Sequence, residues 1–81
     1  MNTRVAVISI IVENREAAEK LNGLLHEYGG YIIGRMGIPY HKKGISVICV
    51  VVDAPQDAFS ALTGAIGRLS DVTVKTAYAR Q

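Results

Sequence analysis

The chain has 81 residues, of which 49% are hydrophobic and 20% charged, and its formal net charge is +2. This composition excludes a disordered polymer, which would be poorer in apolar residues and richer in charge. The length favours one domain, residues 1–81. The single cysteine, Cys49, excludes an intrachain disulfide. Small domains often need a disulfide, a metal or a partner subunit for stability. Because this chain is rich in apolar residues and has no disulfide, we expect it to associate with another surface.

The first half of the chain predicts a strand, a helix and a second strand. Residues 4–12 (RVAVISIIV) are mostly β-branched, which is typical of a strand. Asn14 is the predicted N-cap of the helix, because its side chain accepts a hydrogen bond from a free backbone N–H, and Gly29-Gly30 is the predicted stop. Residues 31–38 (YIIGRMGI) predict the second strand, whose glycines indicate a bulge. The residues that the helix is expected to bury are spaced by three and four: Ala17, Leu21, Leu24, Leu25 and Tyr28.

The second half predicts a hairpin loop, a strand, a helix and a last strand. Residues 40–44 form the polar loop, and residues 45–52 (ISVICVVV) are the most apolar strand. Asp53 is the predicted N-cap of the second helix, with Gln56 reaching back to complete a capping box. Residues 72–78 (VTVKTAY) predict the last strand. The second helix is expected to bury Phe59, Leu62, Ile66 and Leu69.

The order of these elements predicts an α+β fold, the ferredoxin-like βαββαβ sandwich. In that plan a four-stranded antiparallel sheet carries both helices on one face. Right-handed crossovers place the first and third strands in the centre of the sheet and the other two at its edges.

Both faces of the two central strands are apolar, although the helices cover only one face of the sheet. The other face is an apolar surface on the order of several hundred Å², more than monomers usually expose. We therefore expect the chain to pair with itself, as a homodimer or homotetramer through the sheet face. The choice of face stays open, because both faces are apolar. If the helices cover Ile8 and Ile10, the predicted interface residues are Val7, Ile11, Ile48 and Val50.

A binding site for a small-molecule effector is the main functional hypothesis. At the junction of the first strand and first helix, the candidate residues are Glu13, Asn14 and Arg15. Free N–H groups at a helix start attract anions, and an arginine grips a carboxylate with two hydrogen bonds. The alternative is ordinary helix capping beside a solvated arginine.

Other chemistry has little support in the sequence. The histidines and the cysteine lack the close spacing of a metal site, so neither a metal nor a cofactor is predicted. A metal-sensing module that uses His26, His41 or Cys49 across subunits remains an alternative. There is no phosphate-binding glycine loop and no paired acid and base, so the protein is predicted not to be an enzyme.

Charge and hydropathy limit the remaining partners. The basic residues are scattered apart from Lys42-Lys43, so direct nucleic-acid binding is not expected. No apolar run reaches the roughly 18–20 residues of a membrane span. The free thiol and the lack of a signal-peptide pattern favour a cytoplasmic location.

The segment VENREAAEKLNGLLHEYGGYI resembles the start of ACT regulatory domains, although Glu16-Ala17 stands where amino-acid-binding members have Pro-Gly. From Val5 to Arg80 the chain is more closely similar to the small iron-only hydrogenase system regulators. That resemblance is carried by IIVENREAAEKLNGLLHEY, IGRMGIPY and ALTGAIGRLSDVTVKTAYAR. These proteins in turn resemble the ligand-binding domain of the nickel-responsive repressor, whose full nickel ligand set is missing here.

The resemblance implies a single ACT-like domain with a regulatory role in the hydrogenase system. It implies neither nickel sensing nor direct DNA binding. The hypothesised mechanism is a population shift, in which an effector at a subunit interface, near the first strand–helix turn, changes oligomer geometry or partner binding. A purely structural interaction domain, without a ligand, is the second alternative.

Overall fold

The computed structural model of the protein describes residues 2–80. These residues form four strands and two helices in the order βαββαβ, as the sequence predicts. Short 3₁₀ turns follow the first helix and the second strand. The helices and strands are β1 (Arg4–Val12), α1 (Arg15–Glu27), β2 (Ile32–Tyr40), β3 (Ile45–Ala54), α2 (Gln56–Gly67) and β4 (Val72–Tyr78).

The four strands form one antiparallel sheet in the order β2-β3-β1-β4. This order confirms that β1 and β3 are central and that β2 and β4 lie at the edges. With its two helices, the sheet is the predicted α+β, ferredoxin-like fold.

The core lies between the helices and one face of the sheet. Alternate residues of β1 and β3 are buried there, because successive side chains of a strand point to opposite faces. The helices close this layer with apolar stripes at the predicted spacing of three and four. Their buried members are Ala17, Leu21 and Leu25 from α1 and Phe59, Leu62 and Ile66 from α2.

The other face of the sheet, which we call the open face, carries no helix in the described structure. The strand register assigns to it the residues that alternate with the core. They are Val5, Val7, Ser9 and Ile11 of β1, Gly34, Met36, Ile38 and Tyr40 of β2, Ile45, Val47, Cys49, Val51 and Asp53 of β3, and Thr73, Lys75 and Ala77 of β4.

The prediction that Ile48 and Val50 lie on the uncovered face is wrong. Val50 pairs with Ile8 and Ile48 pairs with Ile10, so all four side chains share the face under the helices. Both Ile48 and Val50 are buried in the core. The error comes from the register between β1 and β3, which the apolar residues on both faces of β3 do not reveal.

The start of α2 also differs from the prediction. β3 continues to Ala54, and Asp53 pairs with Val5 instead of capping the helix. The helix begins after Pro55, with no side-chain cap. Gln56 does not reach back, because its Nε2 donates to Ser60 Oγ at 2.9 Å. Strand pairing therefore extends the third strand by two residues beyond its predicted end.

Two glycine predictions have different outcomes. The register shifts between Ile32 and Gly34, which confirms the bulge in β2. At the end of α1, however, neither Gly29 nor Gly30 adopts a positive φ; the chain leaves the helix through a 3₁₀ turn at Gly29–Tyr31.

No helix within residues 2–80 is long and apolar enough to cross a membrane.

Truncation of Leu21 tests the core. Leu21→Ala leaves a cavity between α1 and the sheet, so we expect the free energy of unfolding to fall by about 2–5 kcal/mol. Urea denaturation measures this change. Ile33→Ala is the control, since Ile33 is 65% exposed and should cost far less. Similar losses for the two variants would contradict the assigned core.

Candidate functional site

A cleft of about 360 Å³ lies at the end of the sheet, between the β1–α1 turn and the β2–β3 hairpin. Its volume is at the lower end of the range of small-molecule sites. Apolar side chains form part of its surface, and polar groups come from both turns. The lining residues are Val12, Asn14, Arg15, Ala18, Pro39, Tyr40, His41, Gly44, Ile45 and Ser46.

Asn14 fixes the first wall of the cleft. Its side-chain oxygen accepts a hydrogen bond from the Ala17 N–H at 2.7 Å, which confirms it as the N-cap of α1. Its Nδ2 donates to Asp71 Oδ2 at 2.7 Å. The Glu13 N–H donates to the backbone oxygen of Asp71 at 2.9 Å. These bonds tie the start of α1 to the turn before β4.

Asp71 adopts a left-handed backbone conformation, with φ of 59°. Glycine reaches this region most easily, but aspartate tolerates it better than most other side chains. The carboxylate at this position receives the Asn14 bond, which a glycine could not do. The turn before β4 therefore contributes directly to the position of Asn14.

Arg15 is the first residue of α1 and lines the cleft beside Asn14. Its side chain is exposed. No side-chain hydrogen bond within residues 2–80 engages its guanidinium group. The guanidinium and the positive end of the α1 dipole therefore bring two sources of positive potential to the same wall.

The β2–β3 hairpin forms the second wall. A 3₁₀ turn at His41–Lys43 is closed by a hydrogen bond from the Gly44 N–H to the His41 oxygen at 3.2 Å. Gly44 has φ of +65°, so a side chain here would strain the turn. This conformation brings Tyr40 and His41 to the cleft.

The structure brings together two of the three predicted ligand-binding residues. Asn14 and Arg15 line the cleft, whereas Glu13 is exposed and lies outside its lining. Sequence reasoning did not connect this site with Tyr40 and Ser46. A signal for them exists, because neighbouring central strands put the end of β1 beside the start of β3: Val12 pairs with Ser46.

No cluster of three His, Cys, Asp or Glu side chains suited to a metal occurs within residues 2–80. His26 is exposed on α1, and His41 lies in the cleft wall. Cys49 is half-buried on the open face, between Ser9 and Met36 in the register. Cys49 therefore lies outside the core, on the face of β3 opposite to Ile48.

A family model described as TM1266-like matches residues 4–76, and so covers most of the chain. The chain belongs to the TM1266-like family. This family is described, provisionally, as an iron-only hydrogenase system regulator. This confirms the family that the sequence resembles.

Solved structures agree with the family match. The uncharacterized protein TM1266 from Thermotoga maritima is 34% identical to the chain, with a TM-score of 0.93. The match covers 98% of this chain and 100% of that one. A formyltetrahydrofolate deformylase from Pseudomonas syringae pv. tomato str. DC3000 has a TM-score of 0.68 at 16% identity, over 100% of this chain and 29% of that one, and shows the fold alone. No curated protein matches the chain.

Substitutions of Asn14 separate its two hydrogen bonds. Asn14→Ala removes both, and we expect a loss of about 1 kcal/mol in the free energy of unfolding. Asn14→Ser keeps an oxygen that can cap the helix, so it should cost less. Urea denaturation compares them, with Lys20→Ala, an exposed position of α1, as the control. If the serine variant were as unstable as the alanine variant, capping would not be the main contribution of Asn14.

Proposed function

We propose that the protein is a non-enzymatic regulatory module of the iron-only hydrogenase system, which senses a small anionic effector in the cleft. The observation that carries this proposal is the cleft wall formed by Arg15 and the start of α1. The family description supports the regulatory part. A single half-buried cysteine, Cys49, without an intrachain disulfide fits a cytoplasmic location.

The chemistry of the two walls suggests the kind of effector. An anionic group, such as a carboxylate, suits Arg15 and the N-terminal end of α1. The opposite wall offers the flat side chains of Tyr40 and His41 and the ring of Pro39. A ligand with an anionic head and a planar or apolar body would satisfy both walls.

A route from the cleft to a partner runs through Tyr40. This residue lines the cleft and also belongs to the open face, where it pairs with Ile45 at the end of the β2–β3 hairpin. A ligand that bridges Arg15 and the hairpin would favour one position of the Tyr40 ring. Occupancy of the cleft would thereby change the surface that a partner meets, which is a shift between two populations.

A thermal-shift screen tests the effector site. The probes are free amino acids, mono- and dicarboxylates, and nucleotides. A compound at about 100 times its Kd stabilises the fold by about 2.7 kcal/mol, a rise of roughly 10 °C or more in Tm for a domain of this size. Arg15→Ala should abolish the shift given by a binding compound, and Arg15→Lys should reduce it, because lysine lacks the paired donors.

Lys20→Ala is the matched control, since Lys20 is an exposed cation of α1 outside the cleft lining. It should leave the shift unchanged. If no compound raises Tm, or if Arg15→Ala responds as the native protein does, the effector proposal is wrong. A purely structural interaction domain would then be the better description.

A further inference from the structure

We infer that the open face is a contact surface between two copies of this chain, packed face to face with β2 of each copy over β4 of its partner. This inference goes beyond the effector proposal and does not depend on it. It rests on the apolar character of the face, its area, its charge and the distribution of large and small side chains across its four strands.

Large apolar side chains are exposed on the open face. Met36 is 61% and Ile38 is 51% exposed, and Ile11, Tyr40 and Val47 are also exposed. They lie on three adjacent strands, so the apolar surface is continuous. Contiguous apolar patches of this kind mark interaction surfaces in proteins.

The area of the face is enough for a dimer. A sheet four strands wide and about nine residues long covers on the order of 550 Å². That is about a tenth of the 5470 Å² surface of the described chain, the share that a small protein usually gives to a stable interface. Two copies together would bury on the order of 1,100 Å², near the lower limit for stable complexes.

Charge on the open face favours a second copy over a charged partner. Among the described residues of the open face, away from its ends, Lys75 of β4 is the only charged side chain. Asp53, which pairs with Val5, lies at one end. A nucleic acid or a strongly acidic protein would need more cations than this. The open face of a second copy, which is equally apolar, matches this face in polarity.

The shape of the face determines how two copies fit. Along β2 the side chains are large, namely Met36, Ile38 and Tyr40, whereas β4 offers the smaller Thr73 and Ala77 beside Lys75. A twofold axis parallel to the strands sets β2 over the partner's β4, so large side chains meet small ones. An axis across the strands would set β2 over the partner's β2 and leave a gap over β4. Close packing therefore selects the first axis.

The strand register shows which residues of the two copies face each other around this axis. One row across the sheet contains Met36, Cys49, Ser9 and Lys75, and the next contains Ile38, Val47, Ile11 and Thr73. With the axis parallel to the strands, each row lies over the same row of the partner, in which the order of the strands is reversed. Met36 then lies over the aliphatic stem of the partner's Lys75, and Ile38 lies over the partner's Thr73.

Light scattering and sedimentation equilibrium test the dimer with the full chain. The native protein should have twice the 8.7 kDa monomer mass. Ile38→Glu should raise the dimer dissociation constant about 100-fold or more, because it buries a carboxylate without a partner. Tyr31→Glu is the matched control: Tyr31 is an exposed aromatic on the 3₁₀ turn after α1, and its replacement should leave the mass unchanged.

Circular dichroism checks that each variant is folded. If Ile38→Glu does not fold, Val47→Lys takes its place in the test. A monomeric native protein would overturn the inference. So would a folded Ile38→Glu or Val47→Lys variant that remains dimeric. The Arg15 variants test the effector site separately.

Met36→Glu tests the arrangement of the two copies. With β2 over the partner's β4, the new carboxylate faces the partner's Lys75, so the dimer should persist and should weaken as salt is added. The double variant Met36→Glu, Lys75→Glu removes the cation and should be monomeric. If Met36→Glu alone dissociates the dimer as fully as Ile38→Glu does, the inferred axis is wrong.

Discussion

The structure depends on one constraint: two helices cover only one face of a four-stranded sheet. The register between β1 and β3 decides which apolar residues receive that cover. Ile8 pairs with Val50 and Ile10 with Ile48, and these four side chains become the centre of the core. A shift of one residue would exchange the two faces of β3. The open face is thus a product of the same pairing that builds the core.

The pairing of β1 with β3 also creates the cleft. It sets the end of β1 beside the start of β3, so that the β1–α1 turn and the β2–β3 hairpin form two walls around Val12 and Ser46. The hydrogen bond between Asn14 and Asp71 then holds the first wall against the turn before β4. The start of α1, which carries Arg15, therefore depends on the turn before β4 for its position.

Much of the fold could be predicted from local patterns, because strand composition, helix periodicity and the Asn14 cap each depend on near neighbours. The face of Ile48 could not, since both faces of β3 are apolar and only long-range pairing distinguishes them. The Asn14 and Arg15 side of the cleft was predictable from helix-terminus chemistry. The side formed by Tyr40 and Ser46 follows from no local pattern, but from the predicted strand order, which puts the end of β1 beside the start of β3.

The bulge between Ile32 and Gly34 has a consequence for growth of the sheet itself. β2 lies at an edge of the sheet, where a long regular strand would be a template for further strands and for open-ended aggregation. A bulge bends the strand and breaks its hydrogen-bonding repeat. The bulge therefore limits the regular part of this edge to residues 34–40, which is a shorter template for added strands, while the open face stays available.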